Sequence, residues 1–356
     1  MSRPRRQVRP IRQVVARKAS ARTAAARQAT TRPAAARKPL ARAAVRAGLL
    51  TLVLMPMLLL SISGCQSMLE RVGVAFLYEP ASLPEAQTRL DLAYRSDPAA
   101  HPDRHSLDLY LPDPALRDWP TLIFVHGGGW TDGDRRIEAA GASVIRNIGR
   151  FFASRGVGAA VISYRLMPEV GWREQLEDVA TAMRFVREAA AAEGGDPDAI
   201  FLSGHSAGAW LAARTGFDPD VLERAGFPPE SLCGLALVSG AAYDLGDEET
   251  YRVGASRNYF LERFDDGRPD WERAGSVVPL LDESLPPTLI LYGSAESAQL
   301  RRQSELLFER MRASGAPVSK LLLPRQTHQS IVLTLSRDDK QAGPAILELM
   351  QGSSCS

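Results

Sequence analysis

One short stretch carries residue types at a spacing that could do covalent chemistry. Gly204-His205-Ser206-Ala207-Gly208 lies between an apolar, strand-like run that begins at Ala199 and a helix-like run that continues through Trp210. A serine on a sharp strand-to-helix turn presents its hydroxyl for nucleophilic attack, and the G-x-S-x-G pattern in this setting predicts such an elbow. The flanking glycines have a steric rationale, since a strained turn leaves no room for side chains beside the serine. Taken alone the pentapeptide is only moderately specific, so its weight rests on what else the chain supplies.

A serine that attacks a carboxyl derivative builds negative charge on the carbonyl oxygen, and unobstructed backbone N–H groups can stabilise it. His126-Gly127-Gly128-Gly129-Trp130 follows the apolar run Thr121 to Val125 and provides such groups. Gly128 and Gly129 are expected to serve as oxyanion donors together with Ala207, the residue after the serine; the plainer alternative is a flexible glycine turn. The serine also needs a base, and the chain has five histidines. His101 and His105 precede the first predicted strand, His126 is expected to prop its loop, and His205 to support the elbow. Elimination leaves His328, just past the last apolar run. The third member should be a carboxylate in a loop after a strand, between the serine and the histidine, where it can orient the imidazole. Glu296 meets that requirement in Gly293-Ser294-Ala295-Glu296, and Asp244, one strand earlier, competes with it.

The elements that must position these residues alternate. Leu107 to Leu111 reads as a half-exposed strand, and continuous apolar runs at Thr121 to Val125, Ala159 to Ile162, Ala199 to Leu202, Leu235 to Val238, Thr288 to Leu291 and Ser319 to Leu323 read as buried parallel strands. Leu176, Val179, Ala180, Met183 and Val186 recur at helical spacing within Glu174 to Ala192. Gly194-Gly195 then predicts the helix stop, and Asp196-Pro197 a turn into the next strand. The expected fold is α/β, a mainly parallel doubly wound sheet with helices on both faces, whose ligands bind beyond the carboxyl ends of the strands.

The pieces LDLYLP, FVHGGGW, ISYRLMPE, GHSAGAW and PPTLILYGSAES make residues 105 to 335 resemble an α/β-hydrolase of the carboxylesterase and hormone-sensitive-lipase-like group. The order serine, acid, histidine is the one that group uses. The last piece, with Arg302-Gln303-Ser304, is also similar to arylformamidases and prenylcysteine methylesterases, in which an aspartate usually stands where Glu296 does. The resemblance implies a cofactor-free serine esterase acting on a small-molecule ester through an acyl-enzyme. An amidase of arylformamidase type shares every residue named above, and a non-catalytic lipoprotein on a hydrolase scaffold is the reading from another class.

The N-terminal region has a different composition. Residues 1–46 contain 14 Arg or Lys and no acidic residue, so the remaining chain carries 29 basic against 41 acidic residues. Arginines at every fifth position from Arg12 to Arg42 spread around a helix rather than along one face, which argues against a mitochondrial-type targeting helix and for a disordered tail over residues 1–47. A nucleic-acid role for the tail and a translation start near Val45 are the alternatives; no nucleic-acid partner is expected. Gly48 to Ser63 is an apolar run of sixteen residues that contains Pro56, short for a spanning helix and suited to a signal-peptide core at 48–64. Ile62-Ser63-Gly64-Cys65 resembles a bacterial lipoprotein cleavage box, with Cys65 the lipidated residue; an uncleaved membrane helix is the alternative. Both imply a membrane-tethered protein of the cell envelope facing outside the cytoplasm.

The hydrolase domain is expected over 66–350, with no fold-determining disulfide and Cys233 entering a strand as a small apolar residue. Within it, 245–287 is longer than a crossover needs and carries Tyr251, Tyr259, Phe260, Phe264 and Trp271, a candidate cap over the active site. Met68 to Ala93 is a second candidate cover. No glycine precedes any of the four lysines, no H-E-x-x-H or paired-cysteine pattern occurs, and Gly156-Val157-Gly158 lacks a third glycine. No phosphate loop, zinc site or dinucleotide fingerprint is therefore expected.

Overall fold

The computed structural model describes Val74 and residues 76–353. The basic tail, the apolar run and Cys65 lie outside the described residues. Among those described, no helix is long and apolar enough to cross a membrane.

Eight strands form one sheet: β1 (Thr88–Ala93), β2 (Ser106–Tyr110), β3 (Trp119–Val125), β4 (Gly158–Ile162), β5 (Gly195–His205), β6 (Leu232–Val238), β7 (Thr288–Gly293) and β8 (Val318–Leu323). Their order is β1-β2-β4-β3-β5-β6-β7-β8. The β1–β2 and β2–β4 pairs are antiparallel and every other pair is parallel. The helices are α1 (Val144–Ala153), α2 (Trp172–Ala192), α3 (Ala207–Gly216), α4 (Pro219–Arg224), α5 (Glu248–Arg252), α6 (Arg257–Phe264), α7 (Trp271–Gly275), α8 (Ala298–Ser314), α9 (His328–Thr334) and α10 (Ala342–Gly352).

Because strand side chains alternate across the sheet, one strand feeds two cores. Ile123 and Val125 of β3 pack on one face with Leu176 and Val179 of α2, Trp210 of α3 and Leu307 of α8. Leu122 and Phe124 pack on the other with Ile148 and Phe152 of α1, Ile331 of α9 and Ile346 of α10. This is the doubly wound, mainly parallel sheet that the alternating pattern predicts.

Three expectations need correction. Asp196 and Pro197 do not form a separate turn: they lie within β5, where Trp119 pairs with Gly195 and Thr121 with Ile200, so three extra residues of β5 bulge out between those pairs. Within the described part of the second candidate cover, Thr88–Ala93 is the edge strand β1 and no residue of 76–93 lines either cavity at Ser206; most of 68–75 lies outside the described residues. Cys233 is buried at the start of β6 as expected, but it is also disulfide-bonded, with a partner outside the described residues.

Candidate active site

The loops that carry chemistry leave the carboxyl ends of β3, β5, β7 and β8. Ser206 follows β5 and caps α3 with φ 57° and ψ −122°, a conformation a side-chain-bearing residue rarely adopts. The strain thus sits on the serine itself. The flanking glycines have ordinary φ values and are required for space: a Cβ on Gly204 would stand 2.2 Å from the Gly208 carbonyl oxygen, and one on Gly208 would stand 2.2 Å from that of Val125. The Ser206 N–H donates to the Val238 carbonyl at 2.9 Å, which ties the elbow to β6.

His328 is the first residue of α9 and its ring reaches back over the elbow. Nε2 lies 2.9 Å from Ser206 Oγ. Burial pushes the His328 pKa down to about 4, so at neutral pH the imidazole is uncharged and able to accept a proton. Its Nδ1 is buried with no hydrogen-bond partner. Glu296, in the loop after β7, is buried too, and burial raises its pKa. Oε1 accepts from the Ser239 hydroxyl and from the Gly293 N–H, the latter at 3.1 Å, while Oε2 has no partner. No hydrogen bond joins Glu296 to His328. The Ala295 N–H donates to Gln326 O at 3.0 Å, which brings the two loops together. Asp244 stands elsewhere: its backbone groups engage the amide of Gln303, and its Oδ1 accepts from the Gly246 N–H.

The amides of Gly128 and Gly129 donate no hydrogen bond among the described residues. That of Ala207 opens α3, where a helix has no internal acceptor to offer. Gly128 and Gly129 have φ values of 125° and 60°, and a Cβ on Gly128 would stand 2.0 Å from Asp132 O, so the loop needs both freedom and space there.

The other histidines behave as supports. His126 stacks on Tyr164 with ring centroids 4.4 Å apart, and Tyr164 donates its hydroxyl to His126 O. His205 Nε2 lies 2.8 Å from His328 O, so its N–H holds the backbone of His328. Burial lowers His126 to about 4, and burial together with the neighbouring His328 lowers His205 to about 3. His105 pairs with Asp178 at 3.0 Å, away from any nucleophile.

Sequence reasoning missed Ser239, which anchors Glu296, and Arg263, whose Nε donates to Gly129 O at 3.0 Å while its guanidinium covers Tyr259 at 3.5 Å. The signal for Ser239 was its place at the end of an apolar run. Arg263 had no local signal.

Two cavities meet at Ser206. One, of about 300 Å³, is bounded by Gly129, Trp130 and Ser206 and, from 245–287, by Thr250, Tyr259 and Phe260. The other, of about 530 Å³, runs from Ser206 and His328 to α1 and α9. The segment 245–287 is fastened by Phe264, which is fully buried with its ring 5.0 Å from that of Trp130 and 4.9 Å from that of Trp210. A further cleft of about 380 Å³, at the opposite end of β6 beside Leu232 and Cys233, contains none of these residues.

Two buried histidines and the half-buried His328, all neutral, make stability depend on acid. As pH falls below 6.5 the unfolded chain binds protons at His126, His205 and His328, while the folded chain takes them only near pH 4 or below. Stability contributed by these groups is therefore present above pH 6.5 and lost between about 6.5 and 4. Glu296, with its raised pKa, acts oppositely but is one group against three. Scanning calorimetry is expected to show Tm falling steadily from pH 7 to 4.5; a flat Tm over that interval contradicts the burial of neutral imidazoles.

The BD-FAE family model matches residues 107–228, the span from β2 through the elbow to the end of α4. The carboxylesterase NlhH of Mycobacterium tuberculosis is 30% identical over 62% of this chain and 69% of its own length. The chain belongs to the α/β-hydrolase carboxylesterase-like family. A probable isoprenylcysteine alpha-carbonyl methylesterase of Oryza sativa is 28% identical over 65% of this chain, but this chain spans only 55% of that relative's length. Among solved structures, the butyrate-bound esterase Est2 of Thermogutta terrifontis is 26% identical at a TM-score of 0.57, covering 75% of this chain and 94% of its own. Membership of the carboxylesterase-like family accounts for the strand order and for the placing of elbow and glycine loop at adjacent strand ends.

Proposed function

We propose that the protein is a serine carboxylic ester hydrolase that works through an acyl-enzyme. The observation that carries this is the 2.9 Å approach of His328 Nε2 to Ser206 Oγ beside undonated loop amides. Ser206 Oγ attacks the ester carbonyl as its proton passes to His328 Nε2. The carbonyl electrons move to the oxygen, which the N–H groups of Gly128, Gly129 and Ala207 hold. Collapse breaks the bond to the alcohol oxygen, and that oxygen takes the proton from His328. Water then repeats the sequence at the acyl-serine and releases the acid.

With Nε2 accepting from the serine, the proton of the neutral imidazole is on Nδ1, which is buried and unpartnered. Glu296 Oε2 is a buried acceptor without a donor in the adjoining loop. Two complementary orphaned atoms, each costing about 1–3 kcal/mol if left unmade, favour a side-chain adjustment that joins them, and Glu296 is our choice for the orienting acid. Segment 245–287 acts as a cap coupled to the oxyanion loop through Arg263. Replacing Arg263 by alanine is expected to lower kcat about tenfold with less change in KM, and an unaltered kcat contradicts that coupling.

The relatives named a carboxylesterase and a probable methylesterase agree with ester substrates. Steady-state rates on short-chain esters, aryl formamides and peptides test the reading. It expects esters to lead; formamides in the lead would make the protein an amidase, and no turnover of any class would make it a binding scaffold.

We further place the domain at a membrane, held by a lipid on Cys65. From Cys65 to Leu77 is twelve residues, a reach of at most about 40 Å, so the site would work close to the bilayer. Mass spectrometry of the mature protein is expected to find a lipid-modified Cys65 at the N-terminus; any other N-terminus removes this assignment.

A further inference from the structure

We propose, resting on the esterase reading, that the two cavities at Ser206 divide the substrate into a compact acyl group and a bulky apolar alcohol. The chemistry sets which half goes where. His328 must return its proton to the departing alcohol oxygen, so that oxygen lies on the His328 side of the serine. Of the two cavities only the larger is lined by His328; the smaller is lined by Ser206 and Gly129 without it. The alcohol therefore occupies the cavity of about 530 Å³ and the acyl group the one of about 300 Å³.

The walls agree with this division. Part of the wall of the smaller cavity is made of groups that cannot easily give way. Gln303 is almost fully buried and spends both ends of its amide, accepting from the Asp244 N–H at 2.9 Å and donating to Asp244 O at 3.0 Å and Thr250 Oγ1 at 2.7 Å. Trp130 and Phe260 pack against each other at its other side, both with little exposure. A long acyl chain directed at this wall would have to break the arrangement. The larger cavity is walled by Ile137, Val144, Ile145, Val332 and Leu333, and Asp132 is its one charged lining residue among those described. Aliphatic walls gain from an apolar alcohol in proportion to the area covered, whereas a methyl ester of a bulky acid would leave this channel unfilled and crowd the smaller one.

Hexyl acetate and ethyl hexanoate test the division, because they are isomers of equal composition that exchange chain length between alcohol and acid. The full-length protein is expected to show kcat/KM about tenfold higher for hexyl acetate. Val332→Trp, which fills the channel from a half-buried position on its α9 wall, is expected to reduce that preference at least fivefold, and Val332→Ala, a smaller change that preserves folding, to alter it less. A preference for ethyl hexanoate, or equal rates on the two isomers, overturns the division while leaving the esterase reading intact. Hydrolysis of neither ester, with no labelling of Ser206 by a fluorophosphonate, overturns both.

Discussion

Replacing Ser206 by alanine, His328 by alanine, or both together is expected to lower kcat for a short-chain ester by about the same factor, on the order of 10⁵–10⁶. The equality matters more than the size. Ser206 Oγ and His328 Nε2 share one hydrogen bond of 2.9 Å, and in the proposed mechanism the proton that leaves one arrives at the other. Removing either partner therefore removes the whole nucleophilic route, and removing the second takes away nothing that remains. The residual rate would come from binding and from the loop amides alone. Steady-state kinetics on the two single variants and the double variant check this. Additive losses would mean that the two side chains act independently, and a variant lacking Ser206 that still turned over ester at an appreciable fraction of the native rate would place the nucleophile elsewhere.

Gly208→Ala is expected to be nearly as damaging to activity although the residue touches no reacting atom. A Cβ there would stand 2.2 Å from Val125 O and 2.4 Å from His126 O. Both are backbone atoms at the end of β3, where the glycine loop begins, so nothing flexible can move aside. Relief requires α3 to shift away from β3, which separates the Ala207 amide from those of Gly128 and Gly129. Losing one oxyanion donor typically lowers kcat about 10²–10³-fold, and overpacking of this kind costs about 3 kcal/mol, on the order of 10 °C in Tm for a domain of this size. Gly352→Ala provides the comparison, since a Cβ there meets nothing within 4 Å, and it is expected to change neither quantity. Gly208→Ala with native Tm and native kcat would show that the close approach of α3 to β3 has no part in forming the site.

What could be read from the residues follows from how local the signals are. Parallel strands announce themselves as apolar runs, and six of the eight strands are visible in this way, although β8, at the sheet edge, is largely exposed; β2 shows instead as an alternating stretch that reads as half-exposed, whereas the strand is buried throughout. β1 is not visible, because it is an edge strand in which Leu90 is exposed and Asp91 takes a positive φ where the pairing with β2 shifts register. Its sequence is half polar and half apolar with no clean alternation. Ser206, His328 and the glycine loop were legible because each sits beside a strand end that has its own pattern. The support of Glu296 by Ser239 and the hold of Arg263 on Gly129 join residues 57 and 134 positions apart, and no local pattern can report such a contact. Glu296 itself was legible as a carboxylate in a loop after a strand, but its hydrogen bonds to Ser239 and Gly293 were not.

The central claim is that Ser206 becomes covalently acylated. The most direct test is intact-protein mass spectrometry after treatment with a fluorophosphonate ester, followed by peptide mapping. The account predicts one adduct per chain, on the peptide containing Ser206, formed at a rate that falls as His328 is protonated. An unmodified protein, or an adduct on any other residue, would contradict it.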